Sequence, residues 1–288
     1  MELTLTEKAL FASFGFALVF YIGLSVKGED LKESLKERYK LLLGIVLQFI
    51  LSPMIAYFIG TFFNLDPLNF YGLLLLSMTP CGSIPNSLTM VAKGNSELSV
   101  AMTVTNSLAS LVLMPLMAKV FLGGQGDITV PYGGILANLF VLILFIVLGV
   151  FINTTKASWA GYFKKGTAAI LALSVLGIAI FSGKKIIYLF INSPSDIILI
   201  SFLLPFSLYI LGLLICFLCK LKAKDSKAIS LGAGTYNSPL TMTLIVASFP
   251  LSTSSEVIKI PLLYTHTVIV VGVVSAFIYS RFKGEDRL

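Results

Sequence analysis

Long apolar runs recur along this chain, and short polar connections separate them. Each run has roughly the 17 to 25 residues that a helix needs to cross the hydrocarbon core of a bilayer. Nine runs can be drawn, at residues 9–26, 41–62, 70–92, 97–121, 132–152, 167–183, 197–219, 228–249 and 257–281. The pattern predicts an all-α integral membrane protein with nine transmembrane helices.

Two of these runs contain residues that break helices. Pro80, Gly82 and Pro85 fall within residues 70–92, and Pro239 falls within residues 228–249. Proline lacks a backbone donor and glycine disfavours the helix, so the backbone groups freed there need partners from protein or from a hydrated cavity. Two interrupted segments at corresponding places in two halves indicate the binding site of a transporter.

The two interrupted runs also resemble each other. Asn-Ser-Pro-Leu-Thr-Met at residues 237–242 is similar to Pro-Asn-Ser-Leu-Thr-Met at residues 85–90. We therefore predict a first repeat within residues 1–131, with spans one to four, and a second part at residues 132–288, with span five and a second repeat of spans six to nine. Because five spans separate matching positions, the repeats would enter the membrane in opposite orientations, as an inverted repeat.

Two polar segments have the pattern of helices that lie on the membrane surface. In residues 27–40, Leu31, Leu35 and Tyr39 recur every fourth position with charges between them. This spacing predicts an amphipathic interfacial helix. Residues 184–196 are a second candidate.

Composition agrees with a membrane protein and excludes a soluble one. Hydrophobic residues make up 57% of the chain, charged residues 12%, and the mean hydropathy is +0.94. The first apolar run lacks the positive flank of a cleaved signal, so we expect it to be retained. The three cysteines, Cys81, Cys216 and Cys219, do not indicate a disulfide framework or, for the C-x-x-C pair, a metal site.

The net charge of +7 follows from topology. Of the 21 basic residues, 16 fall in the connections after spans one, three, five and seven and in the C-terminal tail, and 5 fall on the other side. The positive-inside rule then predicts a cytoplasmic C-terminus and an outside N-terminus, in a topology that suits the plasma membrane. It also removes any need for nucleic acid as a partner.

Several motifs resemble those of the bile acid:sodium symporter family. The strongest is the stretch at residues 79–103, and the resemblance extends over nearly the whole chain. Shorter matches are Met-Pro at 114–115, Val-Pro-Tyr-Gly-Gly at 130–134, Gly-Thr-Tyr-Asn-Ser at 234–238 and Ile-Pro-Leu-Leu-Tyr at 260–264. Nine spans with an outside N-terminus resemble the animal-type members.

The resemblance implies a panel domain and a core domain, interleaved in sequence, with two broken helices that cross in the core. It also implies two sodium sites beside the crossing and transport of organic anions between the domains. The family's sodium-ligand pattern is kept at four residues, and the asparagine of the second crossover is kept too: Gln48, Asn86, Ser99, Thr103 and Asn237. Three positions depart from the family, because Pro85 replaces serine, Gly232 replaces a glutamate, and Tyr236 replaces glutamine.

These residues give a predicted site for substrate and cation. We expect it to contain Gln48, Asn86, Ser99, Thr103, Asn237 and Tyr236, with sodium at Asn86, Ser99 and Thr103. Sodium prefers oxygen ligands, and a carboxylate would also compensate its charge, yet none of the 14 acidic residues falls in the interior of a predicted span. The residues therefore leave sodium coupling open, and sodium is the one cofactor considered.

Most of the site residues also have a simpler structural reading. Either asparagine could cap a half-helix, Ser99 and Thr103 could pack helices, and Tyr236 could fill the space of the missing glutamine. The only histidine, His266, is expected to bond to a neighbouring helix rather than to relay protons.

We predict a secondary transporter that works by alternating access on an amphipathic organic anion, such as a bile acid, a sulfated steroid or a related carboxylate. The N-termini of both half-helices would face the anionic group. A sodium-independent facilitator, a ligand-binding membrane receptor of the same fold and a channel remain alternatives. An enzyme is disfavoured, because the spans lack acidic residues and a histidine cluster, and no catalytic residue is assigned.

Overall fold

The computed structural model describes residues 4–25, 38–122, 132–155 and 157–281. In chain order the helices are α1 Leu5–Ser25, α2 Arg38–Val46, a π-helical turn Leu47–Leu51, α3 Ser52–Phe62, α4 Pro67–Met78, α5 Ile84–Val91, α6 Ser96–Leu122, α7 Tyr132–Thr155, α8 Ala157–Asn192, α9 Ser195–Leu218, α10 Ala223–Ala233, α11 Ser238–Ser248, α12 Leu251–Val257 and α13 Lys259–Ser280. The described part of the chain contains no strand, and Cys81 and Tyr236 form an isolated antiparallel bridge.

Six helical stretches among the described residues are long and apolar enough to cross a membrane. Helix α8 bends by 52° and would be a seventh if its two parts are taken as one span, while α4 and α11 are shorter apolar helices. The all-helical membrane architecture is thus confirmed. The count of nine spans and the inverted repeat stay predictions.

The two predicted surface helices have different outcomes. Most of the segment at residues 27–40 lies outside the described residues. The second candidate, at 184–196, largely coincides with the second part of α8, Gly183–Asn192, which follows the 52° bend, and α9 begins at Ser195. Its position on the membrane surface stays a prediction.

Both interrupted runs contain a broken helix. The first break lies between α4 and α5, where Pro85 occupies the first turn of α5 and so loses no helical hydrogen bond. The second lies between α10 and α11, and Pro239 has the same position in α11. Proline in both places starts the second half-helix.

The two breaks meet. The backbone N–H of Asn237 donates to the carbonyl of Pro80 at 2.9 Å, and Cys81 pairs with Tyr236 in the antiparallel bridge. Tyr264 supports this contact, because its hydroxyl donates to the Gly234 carbonyl at 2.7 Å and accepts from the Tyr236 N–H at 2.9 Å. Backbone groups freed by the breaks thus find partners inside the protein, as an apolar environment requires.

The helices pack as two groups. Helices α1, α7 and α8 contact one another, and we call them the panel group. The remaining helices surround the two breaks, and we call them the core group. The groups meet chiefly where α1 and α7 pack on α11.

Candidate functional site

A cluster of polar side chains lies at the first break. Asn86 is in the first turn of α5, and its Oδ1 accepts hydrogen bonds from Ser99 Oγ at 2.8 Å and from Thr103 Oγ1 at 3.2 Å. Ser99 and Thr103 lie four residues apart on α6 and therefore face the same side. Thr89 Oγ1 also donates to Ser99 Oγ at 3.3 Å. The structure therefore brings together the three residues for which sodium was predicted.

This cluster contains more acceptor oxygens than protons to serve them. The Thr103 hydroxyl lies within 3.5 Å of three oxygens, namely Asn86 Oδ1, the Gly82 carbonyl and the Ser99 carbonyl. A hydroxyl has one proton, so it can donate to only one of them at a time. The surplus of neutral oxygens fits a hard monovalent cation. Among the described residues no group of three His, Cys, Asp or Glu side chains could hold a metal ion.

Gln48 lies in the π-helical turn and is fully buried. Its Nε2 donates to the Thr79 carbonyl at 2.8 Å, one residue before Pro80. Its Oε1 has no hydrogen-bond partner in the described part of the chain. A single π turn inside a helix is frequent at functional sites, because it redirects one side chain. Here it accompanies a glutamine that bonds the first break.

The two asparagines of the crossing have different roles. Asn237 is buried and caps α11, since its Oδ1 accepts from the backbone N–H of Leu240 at 3.2 Å. Asn86 makes no such cap, and its side chain is directed to α6 instead. Asn237 thus caps a half-helix, whereas a role of either asparagine in binding stays a prediction.

Two positions that depart from the family are filled by packing. The Tyr236 hydroxyl lies 2.5 Å from Ser52 Oγ, and its ring centroid lies 5.5 Å from that of Tyr264. A Cβ added at Gly232 would lie 3.1 Å from Cε of Met102. The space that a carboxylate at position 232 would use is thus partly occupied by Met102.

The half-helix N-termini differ in exposure. Ser83, Ile84 and Ser87 at the start of α5 are exposed, and α5 has no side-chain cap. The start of α11 is buried, and Ser238 accepts a hydrogen bond from Thr265 Oγ1 at 3.0 Å. Only the N-terminus of α5 is exposed, and the expectation that both N-termini face an anion stays a prediction.

The expectation for His266 was wrong. The residue is exposed, and its Nδ1 lies 3.2 Å from the Leu262 carbonyl of its own helix. Its contact with another helix is apolar, edge-on to the ring of Phe190 at 5.8 Å.

Sequence reasoning missed two polar residues beside the breaks. Ser52, from α3, bonds the Ser77 carbonyl and Tyr236. Asn106, from α6, is buried and donates to Cys81 Sγ at 3.6 Å. The signal for Asn106 was its spacing, because an asparagine three residues after Thr103 falls on the same face of a helix.

A helical membrane protein with two broken helices that meet beside a polar cluster has the architecture of a transporter. Residues 15–192 match the model of the family described as the Sodium Bile acid symporter family. The chain belongs to this family, and it is a membrane transporter rather than an enzyme.

Individual proteins with transporter names are similar to this chain over most of its length. The chain is 27% identical to the hepatic sodium/bile acid cotransporter of Rattus norvegicus over 293 aligned positions, which cover 96% of this chain and 79% of the relative. It is 26% identical to the sodium-dependent organic anion transporter of Homo sapiens, with coverage of 92% and 71%. It is 29% identical to the uncharacterized sodium-dependent transporter YocS of Bacillus subtilis (strain 168), with coverage of 82% and 73%.

Proposed function

We propose that this protein is a secondary transporter that moves an amphipathic organic anion across a membrane together with sodium. The observation that carries the proposal is the oxygen cluster of Asn86, Ser99 and Thr103 at the meeting point of two broken helices. Ion sites at such breaks are a recurrent feature of secondary transporters. The names of the relatives, which include sodium/bile acid cotransporters, support the same function.

The proposed sodium ligands are neutral. Asn86 Oδ1, Ser99 Oγ, Thr103 Oγ1 and the Gly82 carbonyl would each contribute an oxygen dipole. Binding would replace the hydrogen bonds that these groups make to one another. A site without a carboxylate leaves the charge of sodium uncompensated, and an organic anion bound nearby would compensate it. Neutral ligands therefore favour binding of the two solutes together.

The proposed place for the anionic group is the N-terminus of α5. Exposed Ser83 and Ser87 and the uncapped first turn would offer hydroxyl and N–H donors at the positive end of the helix. The substrate classes that fit are a bile acid, a sulfated steroid or a related carboxylate.

The proposed motion is that of the core group against the panel group. Among the described residues, hydrogen bonds between the groups run from Lys8 Nζ to the Phe249 carbonyl, from Asn138 Nδ2 to the Ala247 carbonyl and Ser248 Oγ, and from Thr243 Oγ1 to the Phe11 carbonyl. With the N-terminus outside, as the basic residues favour, these bonds lie towards the outer face. We therefore propose that this arrangement is closed to the outside. We also propose that the protein lies in the plasma membrane and has nine spans with inverted repeats.

A sodium-independent facilitator is the second candidate. The Tyr236 hydroxyl is hydrogen-bonded to Ser52 Oγ, and Met102 occupies space beside Gly232. Both features reduce the number of polar groups that are free to bind a cation where the family resemblance implies a second sodium ion. The two candidates differ only in whether flux needs sodium.

Uptake of labelled taurocholate and of smaller carboxylates into proteoliposomes tests the proposal, with potassium replacing sodium in a parallel set. We expect saturable uptake that requires sodium and falls strongly in Asn86→Ala. Ser107→Ala is the matched control, because the Ser107 hydroxyl, within the described part of the chain, bonds only the Thr103 carbonyl of its own helix. Equal uptake in potassium would establish the facilitator, and specific binding without flux would indicate a receptor. Absence of any flux or binding would overturn the proposal.

A further inference from the structure

Asn106 belongs to the same helix face as two members of the oxygen cluster. It follows Ser99 by seven residues and Thr103 by three on α6, which is the spacing of neighbours along one face. Its side chain is 1% exposed. Its Nδ2 donates to Cys81 Sγ at 3.6 Å, so its amide lies directly against the first break.

The carboxamide oxygen of Asn106 is unpaired. Oδ1 is buried and has no hydrogen-bond partner among the residues that the structure describes. Reversing the amide would place Oδ1 near the sulfur and leave Nδ2 unpaired instead, so one polar atom lacks a partner in either orientation. A buried amide oxygen without a partner is costly, and native proteins usually satisfy such an atom with a bound water or ligand.

The Asn106 carboxamide is linked to the oxygen cluster through the sulfur of Cys81. Cys81 Sγ, which accepts from Asn106, lies 4.0 Å from Thr103 Oγ1. Thr103 Oγ1 in turn lies 3.2 Å from Asn86 Oδ1. Asn106 is therefore connected to the cluster through one side chain, that of Cys81.

A second buried amide at this break has the same polarity. Gln48 Nε2 donates to the Thr79 carbonyl, and Gln48 Oε1 is unpaired among the described residues. In both amides the NH₂ group donates a hydrogen bond to the break segment, and the oxygen has no hydrogen-bond partner among the described residues. Two uncompensated oxygen dipoles in an apolar surrounding favour a positive ligand over a neutral one.

We propose that Asn106 Oδ1 is an additional ligand of the sodium ion held by Asn86, Ser99 and Thr103. The proposal rests on the proposed sodium coupling and extends the set of residues responsible for it. An amide oxygen is a hard ligand, and a site built only from neutral oxygens depends on the number of dipoles that it assembles.

Sodium binding to the purified full-length protein tests this assignment, by thermal unfolding in sodium chloride at constant ionic strength and by direct binding of radioactive sodium. Asn106→Leu conserves size and removes the oxygen, and we expect the half-saturating sodium concentration to rise on the order of tenfold or more. Asn106→Asp also conserves size but adds a negative charge, so that concentration should fall. The matched control is Thr105→Val, which removes a buried unpaired hydroxyl from the adjacent residue and should leave sodium binding unchanged.

The outcomes separate this proposal from the one on which it rests. If the wild-type protein shows no sodium response, sodium coupling fails and the assignment of Asn106 fails with it. If wild type responds and both Asn106 variants bind sodium as wild type does, only the assignment of Asn106 is overturned, and its oxygen is then satisfied by water. If Asn106→Leu does not fold, Asn106→Asp decides alone, because unchanged or weaker sodium binding in that variant contradicts the proposal.

Discussion

The ammonium group of Lys8 donates a hydrogen bond to the backbone carbonyl of Phe249 at 2.9 Å. Lys8 lies at the start of α1 in the panel group, and Phe249 follows the last residue of α11 in the core group. The carbonyls at a helix C-terminus lack helical partners and carry partial negative charge, so a lysine binds well there. This bond ties the two groups together at one end.

Lys8→Met should therefore weaken the contact between the groups without disturbing either one. Hydrogen bonds to charged groups contribute about 1.5–3 kcal/mol, so the balance between closed and open outer ends should shift on the order of tenfold or more. Labelling of a cysteine introduced by Ser248→Cys, with a membrane-impermeant thiol reagent added from outside to reconstituted protein, measures this opening. Because Ser248 also accepts a bond from Asn138, the substitution alters that contact equally in every background, and the comparison is made between backgrounds.

Lys259→Met is the control for this experiment. Lys259 pairs with Glu256 inside the core group and does not join the groups. Equal labelling of Ser248→Cys in all three backgrounds would show that the Lys8 contact does not hold the outer end closed.

Gly15 allows a close approach between the two groups. A Cβ at this position would lie 1.7 Å from Thr243 Oγ1, which itself donates to the Phe11 carbonyl at 2.8 Å. Gly15→Ala should force α1 away from α11, and overpacking of this kind costs about 1–3 kcal/mol. We expect a lower midpoint of thermal unfolding and loss of uptake.

Gly161→Ala, on α8, is the matched control, since nothing lies within 4 Å of a Cβ at Gly161. Alanine is the better helix former by about 1 kcal/mol, so this variant should be as stable as wild type or more so. If Gly15→Ala behaves in the same way, the packing of α1 on α11 is looser than the structure indicates.

The breaks could be predicted from local sequence, whereas the residues of the cluster were predicted from the resemblance to the family. Pro80, Gly82 and Pro85 cannot continue a helix, and Ser99 and Thr103 share a face through their spacing alone. Spacing alone would also fit helix packing, and it was the family's ligand pattern that indicated a site at Asn86, Ser99 and Thr103. Predictions from local patterns succeed when the feature depends on residues near in sequence, as a helix break at proline and glycine does.

Other contacts needed the tertiary structure. The bond between Ser52 and Tyr236 joins residues 184 positions apart, and Lys8 and Phe249 are 241 positions apart. No periodicity relates such pairs, since they depend on how the groups pack. The expectation for His266 failed for the same reason, because the helix face on which it lies is exposed.

The different roles of Asn86 and Asn237 lead to opposite expectations. Asn237→Ala removes an N-cap and should lower the free energy of unfolding by about 1 kcal/mol, whereas Asn237→Ser keeps a capping oxygen and should cost less. Asn86→Ala removes a proposed sodium ligand and should mainly abolish stabilisation by sodium. Thermal unfolding with and without sodium measures both effects. A loss of sodium response in Asn237→Ser with normal folding would show that Asn237 is also a ligand.

The residues around Gly232 allow a gain of function to be tested. Gly232→Glu with Tyr236→Gln restores two residues of the family pattern, and Met102→Ala vacates the space beside position 232, where Cε would otherwise lie 3.1 Å from the new Cβ. The added carboxylate should strengthen sodium binding, and each tenfold decrease in Kd adds about 1.4 kcal/mol of stabilisation at saturating sodium.

Without sodium the same carboxylate is buried and unpaired, so the triple variant should unfold at a lower temperature than wild type. We measure the midpoint of thermal unfolding across a series of sodium concentrations, with potassium as the control. In the triple variant the midpoint should be lower than in wild type without sodium and should rise more steeply as sodium is added. Met102→Ala alone controls for the cavity, and a triple variant that folds yet responds to sodium no more than this control would show that position 232 does not reach the ion.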